Sequence, residues 1–270
     1  VGAWASAPGI GLPRLSRDSV NARTTWDVPG ALTGLYALGD GRLLAAAQGA
    51  LHLISDPLAG AQVLATHTGL PTDLHDVQVW DADGIARVVA IAATTDKGAH
   101  LSLLHVDEAS FRVVQGTLPL DEAIVSCALE QHGSLAVLTR RHVLHTVSWR
   151  VTDDRLVLDE PHAVPLRPLE EAQLVYVSPS HLLMVVAVPG DAERVRASAL
   201  LWDTDLDAVL AVTEWSAQGA PQISTTRAMD GYVFVQLDPK ASRAGKCTVA
   251  ALPVSVPATG LLLHALGASS

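Results

Sequence analysis

Cysteine is scarce. Cys127 and Cys247 are the two in 270 residues. Two thiols build neither a disulfide framework nor a four-cysteine zinc site, so nothing argues for secretion. Charge is thin as well, at 17% of residues. Basic residues number 18 against 28 acidic ones, for a formal charge of −10. That balance opposes nucleic-acid binding over the whole surface and leaves room only for a local basic patch. Lysine occurs three times and arginine fifteen, a bias that charge chemistry does not explain. No apolar run reaches the 18 or so residues of a membrane span; the most apolar, Leu182 to Val188, is strand-sized. The chain begins Val1-Gly2-Ala3-Trp4 without an initiator Met or a basic-then-apolar leader. It reads as a domain excised from a longer chain.

What the chain has is apolar content, 49% of residues, too much for disorder. At this length it buries a large core without staples. That content falls in runs of five to eight residues punctuated by Gly, Pro, Asp and Ser, the pattern of strands and tight turns. Helical periodicity with caps is rare. Gly-Asp-Gly at 39–41 and Asp83-Gly84 sit where hairpin turns need positive φ.

The runs group in fours, over 32–67, 76–117, 124–159 and 173–215. A fifth group, 222–252, lacks a clear fourth strand. First strands begin near residues 32, 76, 124, 173 and 222. Four-stranded units at a period of roughly 40 to 50 residues predict an all-β fold, a β-propeller of four-stranded antiparallel blades. Five blades are visible, read as one domain over 1–270 or as part of a larger ring. Blades packed face to face bury both sides of each sheet, which matches weak alternation such as Arg87 to Thr94. The N-terminal strand 22–27 has two readings. It closes the ring on the fifth unit, or it is an outer strand of a preceding blade. Leu261 to Leu266 reads as a short helix.

Trp-Asp occurs at 26–27, 80–81 and 202–203. The third lies in Ala199-Leu-Leu-Trp-Asp-Thr-Asp-Leu-Asp-Ala-Val-Leu210 and resembles the end of a third strand in a WD-repeat blade. Trp202 is then an inter-blade packing residue and Asp203 the start of a turn. No Gly-His dipeptide precedes any unit, so the pattern is a diverged, WD-like one.

Chemistry-bearing motifs are missing. Eleven histidines suggest a metal at first sight. His142 and His145 are an odd number of residues apart in one strand and point to opposite faces, as do His100 and His105. No metal site is predicted. Gly-x-Ser-x-Gly and a phosphate-cradling glycine loop do not occur. Most acidic residues sit in turns, where Asp caps backbone. A five-bladed glycosidase would need paired carboxylates in its channel and aromatic platforms, and the aromatic content is only 4%. No catalytic residue, cofactor or small-molecule substrate is predicted. Basic residues cluster in two loops: Arg140 and Arg141 at a predicted hairpin tip, and Lys240, Arg243 and Lys246 between two strands. These are candidate contacts to an acidic partner segment or to RNA phosphate.

The closing stretch is Gly231-Tyr-Val-Phe-Val-Gln-Leu237, Cys247-Thr-Val-Ala-Ala-Leu-Pro253 and Val256-Pro-Ala-Thr-Gly-Leu-Leu-Leu-His-Ala-Leu-Gly267. Together with the WD-like strand it resembles the propeller end of the nucleolar protein eleven family and its fungal counterparts, which exits through Leu-x-x-Ala-Leu-Gly. That family supplies subunits of the UTP-A (t-UTP) assembly, which binds early pre-rRNA in the small-subunit processome. The resemblance covers residues 199–267 and implies a non-enzymatic scaffold in the nucleus or nucleolus. Its partners would be other protein subunits, with RNA contact indirect and no membrane. The competing expectations are a glycoside-type propeller hydrolase and a propeller scaffold of another complex, such as a coat or a ubiquitin-ligase adaptor. Fold alone does not choose among them.

Overall fold

The computed structural model describes residues 4–6, 9–13, 23–26, 32–38, 40–47, 49–56, 61–71, 73–82, 86–169, 171–188, 194–218, 221–225, 232–239, 248–255 and 262–263. Among them every regular element is a β-strand. Contacts divide the chain into two compact units, Val1–Asp96 with His100–Gly116, and Lys97–Ala99 with Thr117–Ser270.

The first unit opens with β1 (Trp4–Ser6), β2 (Gly9–Pro13) and β3 (Arg23–Trp26), which form a three-stranded sheet in that order. Blade 1 follows as β4 (Leu32–Ala37), β5 (Leu43–Ala47), β6 (Ala50–Ile54) and β7 (Val63–Thr68). Blade 2 is β8 (Asp73–Ala82), β9 (Ala86–Thr95), β10 (Gly98–Val106) and β11 (Phe111–Leu118). Each blade is a sequential antiparallel meander, so each strand pairs with its neighbour in the chain. The two blades pack through Leu44, Leu51 and Leu53 on one side and Val89, Ile91 and Leu104 on the other. The β4–β5 turn is held by Asp40, whose Oδ1 accepts the Arg42 backbone N–H at 3.0 Å. The Arg42 guanidinium donates to the carbonyls of Asp107 and Glu108 at 2.6 and 3.0 Å, tying that turn to the β10–β11 turn.

The second unit holds three blades. Blade 3 is β12 (Ile124–Glu130), β13 (Ser134–Thr139), β14 (Val143–Thr152), β15 (Arg155–Leu158) and β16 (His162–Pro165). Blade 4 is β17 (Glu171–Ser178), β18 (His181–Val188), β19 (Arg194–Asp203) and β20 (Ala208–Gln218). Blade 5 is β21 (Pro221–Thr225), β22 (Tyr232–Pro239), β23 (Thr248–Ser255) and β24 (Leu262–Leu263). Blades 3 and 4 bury Ala128, Leu138 and Leu144 against Leu174, Leu182, Met184 and Trp202. Small Ala beside Leu lets the two sheets approach, and the aliphatic content of the chain goes into this inter-sheet packing. The fold class is therefore the expected one, an all-β propeller of four-stranded antiparallel blades.

Several elements differ from the sequence expectation. The outer strand of blade 3 is in two pieces: β15 pairs with the second half of β14 and β16 with its first half. Asp159 to Pro161 make the detour, because proline brings no N–H to the ladder. The two-residue turn Asp153-Asp154 has φ of 51° and 57°, a type I′ geometry that matches strand twist and that Asp tolerates. Of the two readings of the strand within 22–27, the sheet order β1-β2-β3 fits the outer strand of a preceding sheet: among the described residues β3 pairs with β2, and the fourth strand of blade 5 is β24. A partner nearby in sequence costs less loop entropy than one at the far end of the chain. That same β24 stands within 261–266, where a helix was expected; two residues pair with Val254 and Ser255 instead.

Candidate interaction surface

Trp202 and Asp203 end β19. Trp202 is buried, 7% exposed, in the core between blades 3 and 4. Asp203 turns the chain into β20: its Oδ1 accepts the backbone N–H groups of Asp205 and Leu206, both at 2.9 Å. Across the ladder Asp203 pairs with His181, the first residue of β18. Ser178, the last residue of β17, pairs with His181 on the other side. Antiparallel pairing thus brings Asp203 into one row with Ser178 and His181, which flank the β17–β18 turn.

Ser178 Oγ lies 2.6 Å from His181 Nδ1, and Ser180 Oγ lies 3.3 Å from the same nitrogen. His181 Nε2 lies 3.8 Å from Asp203 Oδ2. A Ser-His-Asp row invites comparison with a nucleophilic triad. The geometry serves turns instead. Two hydroxyls share one ring nitrogen, and the Asp–His separation exceeds a hydrogen bond. The other Asp oxygen is committed to the β19–β20 turn. Thr204 reinforces the arrangement, donating from both N and Oγ1 to the Ser180 carbonyl at 2.8 and 3.1 Å. The row ties the β17–β18 turn to the β19–β20 turn.

The equivalent end of blade 3 carries Glu130, also buried. Its Oε2 accepts the His132 N–H at 2.6 Å, capping the β12–β13 turn. Tyr176, on β17, lies between these groups. Its hydroxyl is fully enclosed and finds no hydrogen-bond partner among the described residues. Burial first, then the negative charges of Glu130 and Asp205, push the phenol well above its ordinary value. It stays neutral.

Arg140 and Arg141 form the β13–β14 turn, at the opposite end of blade 3. The Arg140 N–H donates to the Ala123 carbonyl at 2.8 Å. Arg141 is 75% exposed, with its guanidinium 3.7 Å from Glu122. An exposed pair at that distance contributes ~0–1 kcal/mol. His142 completes the turn at φ 60°. Its carbonyl accepts the Leu166 N–H at 2.7 Å and its Nδ1 accepts the Leu169 N–H at 3.2 Å. The turn is therefore anchored to the connection between blades 3 and 4, with two arginine heads outward. Lys240, Arg243 and Lys246, the other candidate loop, lie outside the described residues, as does Cys247. Cys127 is buried in β12.

The histidines scatter. Burial lowers the pKa of His52, His67 and His100, and of His145 despite a partly offsetting Glu122. His52 bonds Thr66 at 3.0 Å and His100 bonds Ser102 at 2.9 Å. Among the described residues no group of three or more His, Cys, Asp or Glu is arranged to hold a metal ion.

Sequence reasoning missed one feature of the surface. The β19–β20 turn and β20 expose Leu206, Val209, Leu210 and Val212, at 70%, 44%, 41% and 55%. β20 ends the strand order of its sheet. The sequence marked these residues as a strand but carried no signal for which side stays open.

No family model matches the chain, and no curated protein matches it. Its similarities are to solved structures. A protein of unknown function from Bacteroides caccae is 11% identical, over 94% of this chain and 88% of that one, with a TM-score of 0.53. A calcium-binding protein, regucalcin, from Agrobacterium tumefaciens is 15% identical over 88% and 77%, with a TM-score of 0.49. The WD40 domain of SCAP from fission yeast is 10% identical over 90% and 75%, with a TM-score of 0.43. At 11% identity the first of these likenesses concerns the fold alone.

Proposed function

We propose that this chain is a non-enzymatic protein-interaction scaffold within a multiprotein assembly. One contrast carries the reading. The polar row that most resembles catalytic machinery, Ser178-His181-Asp203, is bound up in two turns, while a run of aliphatic side chains stands in solvent on the outer strand of the same blade. Exposed apolar side chains grouped on one element mark contact surfaces. The finer reading is a subunit of the nucleolar small-subunit processome, acting in ribosome biogenesis and pre-rRNA processing. It is supported by the sequence resemblance over 199–267. The charge of −10 fits protein subunits as direct partners, with RNA contacted through them. Arg140 and Arg141, together with Lys240, Arg243 and Lys246, are the proposed basic contacts.

Native affinity purification of the full-length protein with quantitative mass spectrometry tests both levels. Recovery of a stable multiprotein complex supports the scaffold. Processome subunits among its members, with nucleolar localisation, support the finer reading, and coat or ubiquitin-ligase components would replace it. Recovery of the protein alone would overturn the scaffold.

A further inference from the structure

We propose that the outer edge of β20, which pairs with no strand among the described residues, is a docking site for an extended segment of a partner protein, which adds as a further strand to blade 4. The segment is apolar in alternate positions and flanked by Arg or Lys. This deepens the scaffold reading and rests on it.

An outer strand offers a row of backbone N–H and C=O groups to any extended chain, and native proteins blunt such edges with short length, charged residues (lysine above all), bulges or proline. The other described outer strands show these devices. β7 has six residues. β11 carries Arg112. In blade 3 the edge is cut into β15 and β16 of four residues each, the second ending in Pro165. β24 has two residues. By contrast β20 runs for 11 residues, Ala-Val-Leu-Ala-Val-Thr-Glu-Trp-Ser-Ala-Gln, with neither a basic residue nor a proline and with Glu214 as its one charge. Its single irregularity is a register shift opposite Leu201 and Trp202, near its start. From Ala211 to Gln218 the register with β19 is unbroken. The strand is long and regular, and among the described side chains it exposes Val209, Leu210 and Val212.

Charge selects the occupant. Asp205 and Asp207 precede the strand and Glu214 lies within it, all three exposed. A second copy of this chain would bring the same carboxylates against themselves, on a molecule of net charge −10. Like charges across an interface are unfavourable, and complementary ones speed encounter and set register. A heterologous segment with basic flanks fits the edge. Backbone pairing supplies affinity, and the exposed Val209, Leu210 and Val212 supply contacts for alternate side chains.

The test uses the full chain and a displayed library of random peptides of about twelve residues. Selection is run against the wild type and counter-selected on Val212→Lys, a substitution at an exposed position; Val212→Thr is the β-favouring control. Circular dichroism and melting check that both variants fold. The expected result is enrichment of alternating apolar sequences with Arg or Lys flanks. Their affinity should fall about tenfold or more on Val212→Lys and on N-methylation of alternate peptide amides. Amide exchange across Ala208 to Glu214 should slow in the complex. Enrichment of nothing beyond the Lys variant, enrichment of acidic or helical sequences, survival of binding after N-methylation, or a Val212-dependent dimer would each overturn the proposal. Failure of this proposal and failure of the scaffold are distinguishable. If wild type and Val212→Lys purify with the same partners, the scaffold stands and the β20 site falls.

Discussion

Asp203 faces His181 across the β18–β19 pair with Oδ2 3.8 Å from Nε2, while its Oδ1 holds two backbone N–H groups of the following turn. The carboxylate therefore acts first on the backbone and only electrostatically on the ring. Asp203→Ala removes both acceptor bonds and should cost about 1–2 kcal/mol in a denaturant melt. Asp203→Asn keeps an amide oxygen for the turn and should recover most of that loss. Equal losses in the two variants would mean that charge against His181, and not turn capping, is what matters.

Tyr176 makes the opposite case. Its enclosed hydroxyl has no hydrogen-bond partner among the described residues. Tyr176→Phe keeps the ring between blades 3 and 4 and removes an unsatisfied polar atom. Stability should be unchanged or higher by up to about 1 kcal/mol. A loss larger than that in the same melt would show that the hydroxyl is bonded in solution.

His67 sets an acid limit. Burial lowers its pKa from 6.5, and its ring meets Phe111 edge-on with centroids 6.3 Å apart. A lowered folded value means that the unfolded chain binds the proton more readily. Stability is then full above about 6.5, the unfolded value, and declines as pH falls toward the folded one. His52, His100 and His145 are shifted in the same direction and add to the slope. Urea melts between pH 7.5 and 5 should show this decline, and His67→Leu should make it shallower. An unchanged slope would remove His67 from the account.

Gly133 is fixed by space. It sits at φ +117°, and a Cβ there would lie 2.7 Å from the Trp149 carbonyl oxygen. The same carbonyl neighbourhood is closed by the Trp149 N–H donating to Gly133 O at 2.7 Å. Gly133→Ala should destabilise by about 1–3 kcal/mol, because backbone and not a side-chain tip must yield. A thermal melt within error of the wild type would contradict that geometry.

Much of the architecture was legible because each blade repeats the same local code. Gly-Asp-Gly at 39–41 and the short apolar runs around it mark a hairpin without reference to the rest of the chain. The aliphatic core between blades 3 and 4 follows from those runs. The split outer strand of blade 3 was not legible. β16 is four residues that follow Pro161 and end in Pro165, and its partner is set by β14 being longer than β15 rather than by a turn motif. β24 was missed for a similar reason, since a two-residue strand has no period of its own. At the candidate surface, Arg140 and Arg141 were visible as a turn because adjacent charges between two apolar runs have nowhere else to go. The Ser178-His181-Asp203 row was invisible, because register across two strand pairs brings it together. The open side of β20 was invisible too, since Val209-Leu210-Ala211-Val212 reads the same whether covered or bare.

The central claim is that this propeller works by holding other proteins and not by transforming a substrate. Native purification of the full-length wild-type protein, followed by sizing and quantitative mass spectrometry, tests it most directly. The account predicts that most of the protein elutes in a stable assembly with defined partner subunits. Elution of the protein as a free monomer, with no partner enriched over a control purification, would contradict it.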